Sequence, residues 1–182
     1  IPQLRDDLMV TSDEAQLVLS AFLIMLGLGQ LIAGSLSDRI GRRPVLVYGS
    51  LLFVLSGFGA LLANSIEMLV FMRILQGLGA AACMAMGRVI ISDSFQHAEA
   101  GRQMSTITMF QSVVPLIGFS FGGVLADLVG WRGSVGLMVV TAAIVFAGAS
   151  MLLAESRDPS IKPVPATRII FVYWQLLVTP LF

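Results

Sequence analysis

The sequence predicts an all-helical integral membrane protein, and three observations support that fold class. Hydrophobic residues make up 57% of the 182 residues and charged residues 12%, against roughly a quarter charged in soluble domains. The mean hydropathy, +0.90, is strongly apolar. The apolar residues are concentrated in five stretches, each close to the 20 or so residues that a helix needs to cross a bilayer.

The polar segments between these stretches predict where the helices end. We predict membrane spans at Ala15–Leu36, Val45–Ala63, Met68–Ile91, Met104–Ala126 and Gly133–Ala154. The first two spans are joined by a predicted loop of about six residues. Residues 1–14, before the first of them, are polar and acidic, with four Asp or Glu residues against one Arg.

The distribution of Lys and Arg predicts the orientation of the spans. The segments at 38–43, 92–103 and 155–168 carry seven of these residues, whereas those at 1–14, 64–67 and 127–132 carry two. Short loops rich in Lys and Arg stay in the cytoplasm. We therefore expect the loop at 38–43 to be cytoplasmic.

That loop concentrates charge between two apolar helices. Asp38 falls at the C-terminal end of its helix, where a carboxylate is unfavourable for the helix dipole. Arg39, Arg42 and Arg43 are close enough in sequence to offset it. Gly41 permits a tight turn.

Residues 34–46 resemble the signature loop of the major facilitator superfamily of transporters. The matching residues are Gly34, Leu36, Asp38, Arg39, Gly41, Arg42, Arg43 and Leu46. The alternative is an ordinary loop that topology alone keeps basic. The resemblance implies the major facilitator fold and assigns this loop to the cytoplasmic gate.

The resemblance also implies a domain organisation. Residues 1–154 would form the N-terminal transmembrane bundle, a partial six-helix bundle holding spans two to six with the first span missing. Residues 155–182 would be a central cytoplasmic linker with either an interfacial helix or the start of span seven. We expect the chain to be a fragment, and a second six-span half to follow.

An internal repeat supports this architecture. The stretch from Gly34 to Gly41 recurs from Gly123 to Gly130, with Gly, Leu, Asp and Gly at matching positions. Both copies end a predicted helix, three spans apart. An inverted three-plus-three repeat is what each half of such a transporter contains.

Arg73 is the most informative single residue because it lies inside a predicted span. A charge in that position is costly and marks function by default. The run from Leu69 through Arg73 and Gln76 to Ala81 resembles a second superfamily motif, which implies a part in proton coupling. The alternative is a purely structural arginine. No Asp or Glu occurs inside the five spans, so we expect its acidic partner in the missing first span.

The fourth predicted span carries part of the family's antiporter motif, at Pro115, Gly118, Gly122 and Gly123. The match is partial, since Phe119 replaces a proline and Val114 a glycine. The resemblance implies a helix contact that limits leak. Ordinary close packing of small residues explains the same glycines.

A second cytoplasmic cluster is predicted at the end of the third span. Arg88 and Asp93, together with Glu155-Ser156-Arg157 after the last span, resemble the Bcr/CflA branch of drug exporters. We expect Asp93 and Arg88 to join Asp38 and Arg42 in one charged cluster. Solvated loop charge is the alternative.

Other functions find no support in the composition. One Cys, one His and no acid within a span offer neither a metal site nor a nucleophile–base pair. We predict no enzyme activity, no metal and no cofactor. A net charge of zero argues against nucleic acid as a partner.

The family resemblance therefore implies a multi-pass transporter of the bacterial inner membrane that exports small drug-like compounds in exchange for protons. Its partners would be the substrate, protons, the lipid bilayer and the C-terminal half of the same protein. A symporter or uniporter for a small nutrient, and a non-transporting membrane sensor, remain alternatives.

Overall fold

The structure, a computed structural model, describes residues 11–156, which form four helices. These are α1 (Ser12–Ile40), α2 (Arg42–Leu61), α3 (Ile66–Ser94) and α4 (His97–Leu152). Four stretches of the described residues are long and apolar enough to cross a membrane: Asp13–Ile40, Arg42–Leu61, Ile66–Ser94 and Phe121–Leu152. The linker and interfacial helix predicted beyond residue 156 lie outside the described residues.

Helix ends follow local capping chemistry. Thr11 and Glu14 form a capping box, in which the Thr11 hydroxyl accepts from the Glu14 amide and the Glu14 carboxylate accepts from the Thr11 amide. Ser65 caps α3 by accepting from the Met68 amide at 3.3 Å.

The loop predicted between the first two spans is wrong in length. Helix α1 ends at Ile40, helix α2 begins at Arg42, and only Gly41 separates them. Gly41 has φ +103° and ψ 162°, a backbone conformation that residues with a Cβ atom rarely adopt. One residue therefore reverses the chain.

The last two predicted spans are joined in a similar way. Helix α4 breaks only at Gly130, which has φ +77° and ψ 172°. Gly41 and Gly130 are the only glycines with positive φ in the part of the chain that the structure describes. They are the last residues of the two repeat copies, so the repeat predicted from sequence ends in the same backbone conformation twice.

Helix α3 lies between α1 and α2 and packs closely against both. A Cβ on Gly77 would lie 2.6 Å from the Phe22 carbonyl oxygen of α1, and one on Gly79 would lie 2.6 Å from the Gly49 carbonyl oxygen of α2. Small residues permit this approach between membrane helices. Gly77 and Gly79 thus allow α3 to approach the backbones of both α1 and α2 closely.

The outer surface is apolar. Exposed side chains include Leu116 at 69%, Phe121 at 69% and Leu128 at 78%. A large apolar surface marks a site of membrane or protein contact. With helices of this length, the pattern fits a surface that faces lipid.

Candidate functional site

The candidate site begins at the turn between α1 and α2, residues 38–43, which we call the signature turn. Asp38 lies in the last turn of α1, and Arg42 is the first residue of α2. Arg42 Nη1 lies 2.6 Å from Asp38 Oδ1. The carboxylate that opposes the helix dipole is therefore offset by Arg42.

Arg42 also reaches the end of a third helix. Its Nε donates to Asp93 Oδ2 at 3.0 Å, and its Nη1 donates to the Ser37 hydroxyl at 3.3 Å. Arg42 is 9% exposed. One buried guanidinium therefore links the ends of α1, α2 and α3 through a planar fork of donors that a lysine lacks.

Glu155 joins the same site from the far end of the chain. Its Oε1 accepts from the Arg42 amide at 2.8 Å, and its Oε2 accepts from the Arg43 amide at 3.2 Å. Helix N-termini bind carboxylates through their free amides and the dipole. We call Asp38, Arg42, Asp93 and Glu155 the polar cluster.

Sequence reasoning assigned no role to Glu155, which it named only within a family resemblance. A signal was present in the turn itself. Gly41 offers no side chain to cap α2, so its first amides need an acceptor from elsewhere. The sequence does not show which of the acidic residues supplies it.

The other residues of the signature loop have separate surroundings. Arg43 Nη2 donates to the Ser150 carbonyl in the last turn of α4 at 2.8 Å. A Cβ atom added to Gly34 would have no other atom within 4 Å. Arg39 lies exposed near the end of α1.

Arg88 does not join Asp38, Arg42 and Asp93 in the charged cluster that the sequence predicted. Arg88 is exposed and donates to Gln111 Oε1 at 3.4 Å, while Asp93 binds Arg42. Residues five apart on a helix are separated by about 140° around its axis. Their side chains therefore leave α3 in different directions, and only Asp93 belongs to the polar cluster.

Arg73 and Gln76 form a second polar site inside α3. Arg73 Nη1 donates to Gln76 Oε1 at 2.9 Å. Gln76 is fully buried, and Arg73 is half-buried. Among the described residues, Arg73 Nε and Gln76 Nε2 have no acceptor although both atoms are buried. Two buried donors thus point to an acceptor that the described residues do not supply.

Three of the four residues assigned to the antiporter motif line a cavity. A cavity of about 750 Å³ lies between α2, α3 and the two parts of α4, and its wall includes Pro115, Gly118 and Gly122. No charged side chain lines it. An added Cβ on Gly118, Gly122 or Gly123 would meet nothing within 4 Å. Gly122 nevertheless contacts the second part of α4, because the Ser134 hydroxyl donates to its carbonyl at 3.1 Å. The role of these glycines in limiting leak stays a prediction.

No metal centre is formed within residues 11–156. In that range no group of three or more His, Cys, Asp or Glu side chains could hold an ion. The site consists of the polar cluster, the Arg73–Gln76 pair and the apolar cavity.

Comparison with known proteins gives these features a context. The family model described as Major Facilitator Superfamily matches residues 1–181. The chain is 32% identical over 186 aligned positions to "Chloramphenicol resistance protein" of Pseudomonas aeruginosa, covering 99% of this chain and 41% of that protein.

Two further relatives are similar. "Multidrug resistance protein D" of Escherichia coli (strain K12) is 31% identical over 179 positions, covering 95% of this chain and 44% of that protein. "Multidrug transporter MdfA" of Yersinia pestis is 36% identical over 129 positions, covering 71% and 32% respectively. The chain spans about two fifths of the length of the relatives that match it over nearly its whole length.

Proposed function

This chain belongs to the Major Facilitator Superfamily of transporters, and from that membership we propose that the whole protein exports small drug-like compounds in exchange for protons. The observation that carries the proposal is similarity along 99% of the chain to a protein named for chloramphenicol resistance. Export is favoured over nutrient uptake because the relatives compared above are named for drug resistance or multidrug transport.

We assign the polar cluster to a gate at one end of the transport path. Arg42 holds Asp38 on α1 and Asp93 on α3, so these helix ends separate only when at least one ion pair breaks. The side chains of Asp38 and Asp93 are 43% and 29% exposed. Water competes for partly exposed ion pairs, which keeps the contact reversible.

We assign proton coupling to Arg73 and Gln76. Their two unpaired donors, Arg73 Nε and Gln76 Nε2, would be satisfied by a carboxylate on a helix outside the described residues. Protonation of that carboxylate would remove its negative charge and weaken the contact. Proton uptake and release would thereby change how the bundle is held.

We place the protein in a bacterial inner membrane with the signature turn in the cytoplasm. The excess of Lys and Arg in the segments on that side supports this orientation. The turn, Asp93 and Glu155 lie together at one end of the bundle, as alternating spans require. Movement of this bundle against a second half would expose the path to each side in turn.

The experiment uses the full-length protein in a host that lacks its own efflux pumps. Cells are loaded with labelled chloramphenicol or a fluorescent lipophilic cation, and exit is followed with and without a protonophore. We expect exit that stops when the proton gradient collapses. Protein present in the membrane with no exit of either compound would overturn the proposal, and uptake assays would then test the symporter alternative.

A further inference from the structure

We propose that Glu155 is a positioning residue for the polar cluster, holding the first turn of α2 so that Arg42 reaches both Asp38 and Asp93. The contact bridges 113 residues. Its consequence for transport rests on the gate role proposed above, whereas the contact itself does not.

The free amides at the start of α2 can be accounted for one by one. The Gly41 amide donates to the Ser37 carbonyl at 3.0 Å. The Arg42 and Arg43 amides donate to Glu155. Pro44 has no amide hydrogen to satisfy. Glu155 therefore accepts both of the first-turn amides that the turn itself leaves unpaired.

The turn is shaped to admit this carboxylate. A Cβ on Gly41 would lie 2.5 Å from Glu155 Oε2. Gly41 is favoured for its positive φ, and its lack of a side chain leaves the space that the carboxylate occupies. The contact involves a matched pair of residues and is more than a charge near a helix end.

A second contact holds the same end of α4. Arg43 donates to the Ser150 carbonyl at 2.8 Å, in the last turn of α4 and five residues before Glu155. The end of α4 and the residues that follow it are therefore held by α2 through two backbone amides and one side chain. Displacing α4 along α2 would break all three hydrogen bonds.

Arg42 connects the cap to the ion pairs. Its amide is held by Glu155, and its guanidinium is held by Asp38 and Asp93. When a cap is lost, the first turn of a helix loosens because its amides lose their partner. In α2 that turn carries Arg42, so loss of the Glu155 carboxylate also loosens the bridge between α1 and α3.

The test measures amide hydrogen exchange in a peptide that spans residues 38–48 of the purified full-length transporter. Glu155→Ala should speed exchange of the Arg42 and Arg43 amides by about tenfold, the effect of losing a hydrogen bond to a charged group. Glu155→Asp should restore part of the protection. Glu67→Ala, which removes an exposed carboxylate from another helix, is the matched control and should leave this peptide unchanged.

Transport provides the second readout. Glu155→Ala should lower the maximal export rate severalfold at unchanged KM, and Glu155→Asp should recover part of the rate. Should the alanine variant not accumulate, Glu155→Gln, which keeps the shape and one acceptor, replaces it. A fall in thermal stability with no selective change at residues 42–43 would assign Glu155 a merely structural role and overturn the proposal.

The outcomes separate the two proposals. Unchanged protection of the Arg42 and Arg43 amides in Glu155→Ala overturns the cap, whether or not the parent exports drugs. Faster exchange in the variant, with a parent that exports nothing, supports the cap and overturns the proposed function.

Discussion

Arg43 and Arg132 make the same contact at opposite ends of the bundle. Arg43, two residues after Gly41, donates to the Ser150 carbonyl near the end of α4 at 2.8 Å. Arg132, two residues after Gly130, donates to the Ala63 carbonyl just beyond the end of α2 at 3.1 Å. Helix α2 and the second part of α4 are thus antiparallel, and the start of each donates a hydrogen bond to the end of the other. An inverted repeat requires this arrangement.

This relationship predicts additive losses of stability. Arg43→Ala and Arg132→Ala should each lower the free energy of unfolding by about 1 kcal/mol, the usual loss for one hydrogen bond. The two sites are separated by roughly the 30 Å length of a 20-residue helix, so the double variant should show the sum. Thermal unfolding in detergent measures the stability of the two single variants and of the double variant. A strong departure from additivity would contradict the view that the two contacts are independent.

The bridge made by Arg42 predicts that lysine cannot replace it. In the parent protein, Arg42 Nε binds the Asp93 carboxylate and Arg42 Nη1 binds the Asp38 carboxylate. Arg42→Lys keeps the positive charge but has a single ammonium group in place of these two separate donors. We expect export by the full-length protein to fall about tenfold, which corresponds to roughly 1.4 kcal/mol, at normal membrane abundance. Arg88→Lys, at an exposed position with one 3.4 Å contact, is the control and should retain full export.

The gate role of Asp38 is tested by Asp38→Asn. The change keeps the size of the side chain and removes the charge that pairs with Arg42 at 2.6 Å. We expect export to be impaired because one of the two ion pairs of Arg42 is lost. The protein should still reach the membrane, because Asp93 continues to hold Arg42. Export at the parent rate, with equal expression, would remove Asp38 from the gate.

The role of Arg73 is separable from folding. Arg73→Ala leaves the Gln76 side chain buried without its partner, whereas Arg73→Lys keeps a charge near it. A coupling role predicts that both variants accumulate normally and lose dependence of export on the proton gradient. Loss of the protein itself in both variants would assign Arg73 to the stability of the bundle.

Two glycines on adjoining helices predict opposite tolerance of an added methyl group. Gly77→Ala would bring a Cβ to 2.6 Å from the Phe22 carbonyl oxygen, whereas Gly118→Ala would meet nothing within 4 Å. Alanine favours both helices by up to about 1 kcal/mol, so the difference isolates packing. We expect Gly77→Ala to destabilise by about 1–3 kcal/mol and Gly118→Ala to unfold no earlier than the parent.

The orientation can be checked with cysteine substitutions in a Cys83→Ser background. Asn64 and Gln96 are exposed residues between helices at opposite ends of the bundle. A membrane-impermeant maleimide added to intact cells should label Asn64→Cys and leave Gln96→Cys unlabelled until the membrane is opened. The reverse pattern would invert the predicted topology.

Much of this architecture could be predicted from the sequence because lipid imposes strong local rules. A run of some 20 apolar residues has to be helical, since a backbone amide in hydrocarbon has no water to bind. The family was recognisable from the signature loop, and the matching family model confirms it. The repeat was visible because Gly, Leu, Asp and Gly recur at the same spacing, and the glycine that ends each copy adopts positive φ.

The sequence predicted which side chains contact one another less well than it predicted where each residue lies on its helix. Asp38, Arg42 and Asp93 were expected in one cluster and are found together, but Arg88, five residues from Asp93, leaves α3 in another direction. The glycines of the antiporter motif were expected at a helix contact, whereas Gly118 and Gly122 line a cavity. Both differences arise because sequence spacing gives a residue's place on its own helix and not the neighbour that it meets.

The sequence by itself determined that this is a helical membrane protein, which family it belongs to and where the charged turn lies, because each depends on residues close together in the chain. Only the tertiary structure decided that Glu155 caps α2 across 113 residues and that Arg73 and Gln76 keep two buried donors without an acceptor among residues 11–156. A hydrogen bond requires atoms within about 3 Å of each other. Residues far apart in the chain meet at that distance only after the helices have packed.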